Sequence, residues 1–279
     1  MASTLEAKKG RHNMKTNGSI NFHVRVLALC AILLIAVPGV LAASATPAFS
    51  NGSLKGSYSV LMNNWTSDPS RTEDLIAVFN FDGTGKVSIT SFTDNKVGTL
   101  TTGTGSGTYS VNTNGSGSMN ITLTNGESGI FGLVINAAGK GFQIMCTNCD
   151  GDPNVLGATA VASGGSSFSN ASLKGNYEFL STQWPTPQDA SAENDLGILT
   201  FDGVGKVKAT ITENAAGKVT IIKASGTYAV KSDGSGSFTV TAKTGSITIA
   251  FAIDSAGKGF QLIKAVSGGA VQSGTATHQ

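Results

Sequence analysis

Apolar and polar residues alternate over many short stretches of the chain. The segment 119–123 reads Met-Asn-Ile-Thr-Leu, and the segment 238–242 reads Phe-Thr-Val-Thr-Ala. A period of two is typical of a strand that buries one face and exposes the other to water. The pattern therefore predicts an all-β chain built from antiparallel strands.

Turn signals separate these stretches at intervals of about ten residues. Asn-Gly and Asp-Gly pairs supply the positive φ angles that two-residue hairpins require. Their frequency predicts a meander of sequential hairpins. The pairs are Asp82-Gly83, Asn114-Gly115, Asn125-Gly126, Asp202-Gly203 and Asp233-Gly234.

The chain repeats itself at an offset near 119 residues. The segment 49–58 returns as 168–177, and four later blocks recur in the same order. Such a repeat predicts two copies of one domain. The predicted organisation is a leader at 1–45, a first domain at 49–162, a Ser/Gly linker at 163–167 and a second domain at 168–277.

Eight meandering strands with one apolar face leave two exposed edges unless the sheet closes. We therefore predict two tandem eight-stranded antiparallel barrels, with two-sheet sandwiches or a single outer-membrane barrel as alternatives. Residues 155–162 and 270–277 are candidates for a ninth strand in each copy. The predicted strands are 53–62, 75–82, 86–93, 97–104, 107–112, 116–124, 128–136 and 141–146, then 172–182, 195–201, 206–213, 218–224, 226–231, 235–244, 246–254 and 259–265.

The first 45 residues have the pattern of a secretory signal peptide. Basic residues precede an apolar run at 26–37, which is followed by Pro38-Gly39 and small residues. Cleavage after Ala42 or Ala45 is predicted, with an uncleaved membrane anchor as the alternative. The mature protein is then secreted, periplasmic or bound at the cell surface, without membrane contact after cleavage.

Removal of residues 1–42 leaves 14 basic and 16 acidic residues, a net charge of −2. No basic patch for nucleic acid remains, so no nucleic-acid partner is expected. The only remaining histidine is His278, near the C-terminus. Serine or cysteine catalysis through an imidazole is therefore not predicted.

The first predicted strand of each copy opens with a Gly-x-Tyr tripeptide, Gly56-Ser57-Tyr58 and Gly175-Asn176-Tyr177. This resembles the Gly-x-Trp start of lipocalins and avidins, the calycin barrels, with Tyr in place of Trp. The resemblance covers one tripeptide per copy. It implies an eight-stranded barrel with a cavity that opens at one end, and it implies no particular ligand.

Four aromatic residues are candidates for ligand contact. Trp65 and Trp184 occupy equivalent places after the first predicted strand of each copy, in long loops. Loops at a barrel mouth are where small-ligand sites form, although each Trp can also cap its own core. Tyr58 and Tyr177 join this set through the calycin resemblance.

Cys146 and Cys149 are predicted to form a disulfide, as is usual for a close pair in an exported protein. No metal site is expected, because a second Cys pair or suitably spaced His is missing. No cofactor motif is present either. Adjacent acids before the second predicted strand of each copy, Glu73 with Asp74 and Glu193 with Asp195, keep a glycoside hydrolase open as a third reading.

Both copies share glycines, turn residues and core aromatics rather than reactive groups. We therefore predict a non-enzymatic, structural or adhesive surface protein. The alternative is a secreted protein of calycin type that binds a small apolar or sugar-like ligand. The partner is unknown, with a small apolar molecule or a glycan as the candidates.

Overall fold

The computed structural model describes residues 48–65, 68–136, 139–149, 155–164, 167–187, 192–254, 257–268 and 270–279. These described residues belong to one compact unit. The predicted signal peptide lies outside the described residues. No helix in the described part of the chain is long and apolar enough to cross a membrane.

The first copy is a closed barrel of eight antiparallel strands, as predicted. Each strand pairs with its neighbours in sequence, and the last strand pairs with the first to close the sheet. A single sixteen-stranded barrel and a pair of sandwiches are therefore excluded. The strands are β1 (Lys55–Trp65), β2 (Glu73–Asp82), β3 (Lys86–Lys96), β4 (Thr99–Val111), β5 (Ser116–Leu123), β6 (Ser128–Ile135), β7 (Gly141–Cys149) and β8 (Val155–Ala162).

The second copy repeats this closed barrel with the same strand order. Its closing pair joins the last strand to the first, from Val271↔Trp184 to His278↔Tyr177. The strands are β9 (Lys174–Trp184), β10 (Glu193–Asp202), β11 (Lys206–Ala215), β12 (Lys218–Val230), β13 (Ser235–Ala242), β14 (Gly245–Asp254), β15 (Gly259–Lys264) and β16 (Val271–His278).

The eight strands of each barrel differ from the predicted eight in one respect. The predicted pairs 97–104 with 107–112 and 218–224 with 226–231 are single long strands, β4 and β12. The candidate ninth strands at 155–162 and 270–277 are the eighth strands, β8 and β16. The prediction was wrong there because inward glycines in β4 and β12 were read as breaks.

One end of each barrel is packed with aromatic rings. In the first barrel, the Phe81 ring contacts the rings of Tyr58, Tyr109 and Phe142 edge to face. Phe201 makes the corresponding contacts with Tyr177, Tyr228 and Phe260 in the second barrel. Edge-to-face packing aligns the positive edge of one ring with the negative face of the next, which stabilises this end of the core.

The turns at this end are held by polar contacts that both copies share. Asp82 Oδ1 accepts hydrogen bonds from the backbone N–H groups of Thr84, Gly85 and Lys86. Asp202 makes the same set of contacts in the second barrel. The pKa of Asp82 lies below its usual value because the Thr84 hydroxyl donates to Oδ2 and the backbone amides donate to Oδ1, and backbone amides lower the pKa of Asp202 in the same way.

The two barrels are packed against each other through an apolar cluster. Outward side chains of β1 and β2 meet outward side chains of β14 and β15. Hydrogen bonds run beside the cluster, from Ser59 Oγ to Gln261 Oε1 at 2.9 Å and from Asn95 Nδ2 to the Lys264 carbonyl oxygen at 2.9 Å. The cluster consists of Leu61, Ile76, Val78, Ala250, Ala252 and Ile263.

Candidate functional site

The interior of the first barrel contains an apolar cavity of about 310 Å³. Inward side chains from seven of the eight strands line it, and the aromatic residues around Phe81 close the barrel below it. The apolar lining consists of Met62, Leu75, Ala77, Phe79, Phe92, Ile121, Leu123, Phe131, Cys149 and Leu156.

Charged side chains line the same cavity where β2 begins and β3 ends. Glu73, Lys96 and Glu127 are all part of the lining, and Lys96 Nζ lies 3.4 Å from Glu73 Oε2. Asp94 occupies the inward position one pair before Lys96, opposite Leu75 on β2. Its side chain is 2% exposed, and Oδ1 has no hydrogen-bond partner.

Glu73, Asp94, Lys96 and Glu127 form a charged rim at this edge of the cavity. Burial and neighbouring carboxylates control the protonation of this rim. Burial, followed by the charges of Glu73 and Glu127, raises the pKa of Asp94 to about 8. For Lys96, burial works against the charged form, but the charges of Glu73 and Glu127 outweigh it and raise the pKa. At neutral pH the rim therefore carries an ammonium group and a protonated Asp94 beside Glu73.

This protonation predicts a pH-dependent effect of Asp94→Asn. Folded Asp94 keeps its proton up to about pH 8, whereas the ordinary pKa of a free aspartate side chain is 3.8. The raised pKa of Asp94 adds to the free energy of unfolding below about pH 4. This contribution is lost as the pH rises to about 8, because the unfolded state releases the proton more readily than the folded state. We expect Asp94→Asn to raise the free energy of unfolding by roughly 2 kcal/mol at pH 8 and to change it little at pH 4.

Denaturant unfolding at both pH values measures this effect. Asp82→Asn is a control of opposite sign, because the lowered pKa of Asp82 gives stability that is present above about pH 4 and lost as the pH falls. We expect Asp82→Asn to destabilise the protein at pH 8. An Asp94→Asn variant less stable than the parent at pH 8 would contradict the assignment of a buried neutral carboxyl.

The second barrel has polar side chains at positions that are apolar in the first. The strand pairing aligns Met62 with Ser181 and Leu75 with Asp195. It also aligns Leu156 with Gln272 on the closing strands. Asp195 and Gln272 border a second cavity of about 280 Å³, whose lining also includes Glu193, Glu213 and Lys264. The two barrels thus have the same architecture and different interiors.

Three carboxylates meet in the second cavity. Single oxygen atoms of Glu193, Asp195 and Glu213 lie within 4.8 Å of one another. Gln272 Nε2 donates to Asp195 Oδ2 at 2.8 Å, while Asp195 Oδ1 has no hydrogen-bond partner. Burial and the charges of Asp195 and Glu213 raise the pKa of Glu193 to about 7.

The carboxylate cluster can hold a proton, and its oxygen atoms are of the type that hard cations prefer. Ca²⁺ takes six to eight oxygen ligands, so three carboxylates would be a partial set. No metal site was expected from the sequence, because a second Cys pair or suitably spaced His is missing, and Glu213 lies far from the other two acids along the chain. The pairing of Asp195 with Glu213 brings them together.

Phenylalanine side chains fill the second barrel below its polar opening. Phe179, Phe238 and Phe251 occupy the positions of Val60, Met119 and Leu133. A further apolar space among these residues has a volume of only about 40 Å³. The first barrel has Phe79, Phe92 and Phe131 where the second has Leu199, Ile211 and Ile249, so the two interiors differ in where their phenylalanines lie.

The predicted ligand-contact tyrosines lie in the aromatic end of each core. Tyr58 is 2% exposed and donates a hydrogen bond from its hydroxyl to the Gly139 carbonyl oxygen at 3.2 Å. Tyr177 is 1% exposed and donates to the Gly257 carbonyl oxygen at 2.7 Å. Neither is among the lining residues of the two cavities. Ligand contact by these tyrosines stays a prediction.

Trp65 and Trp184 are the last residues of β1 and β9 rather than loop residues. Strand alternation places Trp184 on the outer side with Leu180, while its neighbour Gln183 points inward and lines the polar cavity. The indole of Trp184 is 37% exposed. Ligand contact by either tryptophan also stays a prediction.

The predicted disulfide between Cys146 and Cys149 is present. The predicted acid pairs differ from each other in geometry. Glu73 and Asp74 are adjacent in β2, not in a loop, so they point to opposite sides of the sheet. Glu193 and Asp195 begin β10 and share its inner side. Of the two pairs, only Glu193 and Asp195 can therefore face a common cavity.

The calycin resemblance implied a cavity in each barrel, but the sequence did not identify the residues that line the cavity of the first barrel. Leu75 against Asp195 and Met62 against Ser181 are visible when the two copies are aligned by strand pairing. The signal is the replacement of apolar by polar residues at inward positions. The inward register had to be known before this difference could be interpreted.

No family model and no curated protein matches the chain. Three solved structures are similar at low identity. A protein of unknown function from the DUF3598 family of Nostoc punctiforme has 9% identity and a TM-score of 0.25, with 81% of this chain and 97% of that chain covered. Burkholderia oklahomensis agglutinin has 12% identity and a TM-score of 0.18, with coverages of 83% and 97%. The Myxococcus xanthus hemagglutinin, solved with a mannopentaose, has 12% identity and a TM-score of 0.16, with coverages of 80% and 99%. TM-scores this low support no functional inference, and the calycin resemblance is not confirmed.

Proposed function

We propose that the protein is a non-enzymatic binding protein whose first barrel holds a small apolar molecule with a polar end. The observation that carries this proposal is the apolar cavity of about 310 Å³ in the first barrel. Its volume lies at the lower end of the range of small-molecule sites, roughly 300–1,000 Å³. Burial of apolar ligand surface against this lining supplies the binding free energy.

The charged rim selects the polar end of the ligand. The charged residues of the lining are two acids, Glu73 and Glu127, and one cation, Lys96, which already forms an ion pair with Glu73. A carboxylate on the ligand would compete with Glu73 for Lys96 and be repelled by Glu127. A hydroxyl, amide or amine is therefore the end group that suits this rim. Glycan binding remains the alternative that the sequence analysis named.

The difference between the barrels predicts one apolar site per chain. Asp195 and Gln272 replace Leu75 and Leu156, and an apolar ligand would leave these polar groups without water. Phe179 and Phe251 also occupy space in the second interior. Only the first barrel thus combines free volume with an apolar lining.

The test is a fluorescence titration with the neutral apolar probe N-phenyl-1-naphthylamine. We expect saturable enhancement at one site per chain. Leu123→Trp places a larger side chain in the cavity and is expected to weaken binding by at least about tenfold, the effect of roughly 1.4 kcal/mol. Competition by the same molecules with and without an end group then ranks hydroxyl, amine and carboxylate.

Ala242→Trp is the matched control, because Ala242 occupies in the second barrel the position of Leu123 in the first. Ala242 lines the polar cavity. We expect this variant to bind the probe as the parent does. The absence of saturable binding, or equal losses from both substitutions, would overturn the proposal of an apolar site in the first barrel.

Export of the protein is part of the same proposal. The disulfide between Cys146 and Cys149 supports it, because disulfides persist mainly in oxidising compartments. The predicted signal peptide points the same way. N-terminal sequencing of the protein recovered outside the cytoplasm tests this, with cleavage expected after Ala42 or Ala45. Retention of residues 1–42 would contradict cleavage.

A structural role at a surface is the second candidate. It is favoured by exposed apolar side chains on the outer side of both barrels. Their positions relative to the contact between the barrels suggest how such a role would work.

A further inference from the structure

Each barrel has two outer surfaces that correspond between the copies. The front face is formed by outward residues of the first two strands of a barrel, and the back face by outward residues of its sixth and seventh strands. The front faces are Ser59, Leu61, Asn63, Asp74, Ile76 and Val78 in the first barrel and Glu178, Leu180, Thr182, Asn194, Leu196 and Ile198 in the second. The back faces are Gly132, Val134, Gln143 and Met145 in the first barrel and Ala250, Ala252, Gln261 and Ile263 in the second.

The contact within the chain joins unlike faces. The front face of the first barrel packs on the back face of the second, through β1 and β2 against β14 and β15. Ile76 and Val78 are 3% and 1% exposed, and Ile263 is fully buried. An interface between two different surfaces of a repeated unit is heterologous, or head to tail.

The same contact leaves the front face of the second barrel uncovered. Leu180, Leu196 and Ile198 occupy the positions of Leu61, Ile76 and Val78. Leu180 and Leu196 pair with each other across β9 and β10, and each is 57% exposed. These side chains are apolar like those of the front face of the first barrel, but no other part of the described chain covers them.

The back face of the first barrel is uncovered in the same way. Val134 and Met145 occupy the positions of Ala252 and Ile263, and they are 59% and 57% exposed. Ile130 on the same side of β6 adds a third exposed apolar side chain. The chain thus carries a free front face on one barrel and a free back face on the other.

Polar residues beside the free faces reproduce the polar contacts of the docked pair. Asn214 occupies the position of Asn95, whose side chain donates to the Lys264 carbonyl oxygen across the contact. Glu178 and Gln143 occupy the positions of Ser59 and Gln261, and a carboxylate can accept from a glutamine amide as the Gln261 oxygen accepts from Ser59. Among the residues that define the two free faces, Glu178 is the only charged one. Like charges therefore do not oppose their association.

We infer that the free front face of the second barrel binds the free back face of the first barrel of a second copy of this chain. The contact inside the chain is the template for this contact between chains. A heterologous contact continues from copy to copy, into a ring if the rotation closes and into a filament if it does not. The inference concerns outer surfaces, so it is independent of the ligand proposed for the interior.

Sedimentation velocity over a concentration series tests this. We expect the average mass of the purified protein to rise with concentration. Leu196→Lys changes the free front face, Met145→Lys changes the free back face, and each is expected to abolish the rise. Val204→Lys is the control, because Val204 is 79% exposed in a turn outside both faces. Circular dichroism verifies that all variants fold.

Mixing the two variants gives the decisive result. The Leu196→Lys chain keeps a functional back face, and the Met145→Lys chain keeps a functional front face. An equimolar mixture should therefore form a complex of two chains and nothing larger, since the outer faces of that pair are both blocked.

Three results would overturn the inference. One is a monomer at all concentrations up to about 1 mM, the effective concentration that a short linker provides inside the chain. The second is association that only one of the two lysine variants abolishes, which marks contact between like faces. The third is a mixture of folded variants that stays monomeric. Loss of probe binding in the first barrel has no bearing on any of them.

Discussion

Gly226→Ala is expected to destabilise the protein by roughly 3 kcal/mol or more, with loss of the native second barrel at moderate temperature. Gly226 lies inside the long strand β12, on its inward side. A Cβ atom at this position would overlap the carbonyl oxygen of Thr239 on the neighbouring strand β13. The backbone cannot relieve this overlap without separating two paired strands.

Thermal unfolding by circular dichroism measures the effect, and Gly132→Ala is the matched control. Gly132 also lies inside a strand, but a Cβ atom there would meet only the Thr147 Cγ2 atom at 3.5 Å, an ordinary contact. We expect Gly132→Ala to be neutral or slightly stabilising, because glycine costs conformational entropy on folding. Equal effects of the two substitutions would mean that close strand approach is not the reason for glycine at 226.

These glycines show where interpretation of the sequence failed. Gly103, Gly105 and Gly107 alternate with Thr and Ser in β4 and face the barrel interior. Their Cβ atoms would meet Phe92, Leu123, Ile121 and the backbone of β5. Glycine in a strand can thus mark the close approach of another chain segment. A sequence alone does not distinguish this from a turn, because the difference lies in the neighbouring strand.

The barrels themselves could be predicted because their signal is local and repeated. Alternation at 119–123 and 238–242 placed β5 and β13 correctly, and the Asp-Gly turns at 82–83 and 202–203 placed the hairpins that join β2 to β3 and β10 to β11. The repeat gave the number of barrels. Closure then followed from the cost of two unpaired edges, and the pairing of β8 with β1 confirms it.

The candidate site could not be predicted because it depends on register and on side-chain size in three dimensions. The chemistry of each cavity depends on differences such as Leu75 against Asp195, which matter only because both positions point inward. Asp94 is an unremarkable acid in the sequence, yet it is buried beside Glu73 in the structure. The surfaces through which the two barrels pack could not be predicted either, because the sequence does not show which outward side chains of one barrel face the other.

Ile263→Asp is expected to lower the free energy of unfolding by roughly 4 kcal/mol, through loss of the contact between the barrels. Ile263 is fully buried and packs with Leu61, Ile76 and Val78 of the first barrel. An aspartate there removes a large apolar side chain and places a carboxyl where it has no paired donor. Differential scanning calorimetry measures the effect.

Met145→Asp is the matched control, since Met145 occupies the same position on the first barrel but is 57% exposed. An exposed carboxylate keeps its water, so we expect a change within about 0.5 kcal/mol at concentrations where the protein is monomeric. A cost of Ile263→Asp no larger than that of Met145→Asp would show that the contact contributes little to stability.

The shape of the unfolding curve adds an independent criterion. In the parent, loss of either barrel would expose the apolar cluster of the other, so we expect one cooperative transition. In Ile263→Asp this coupling is removed while both closed barrels keep their own cores. Two resolved transitions should then appear, because the interiors differ: the first barrel encloses an apolar cavity and the second a cavity lined by carboxylates.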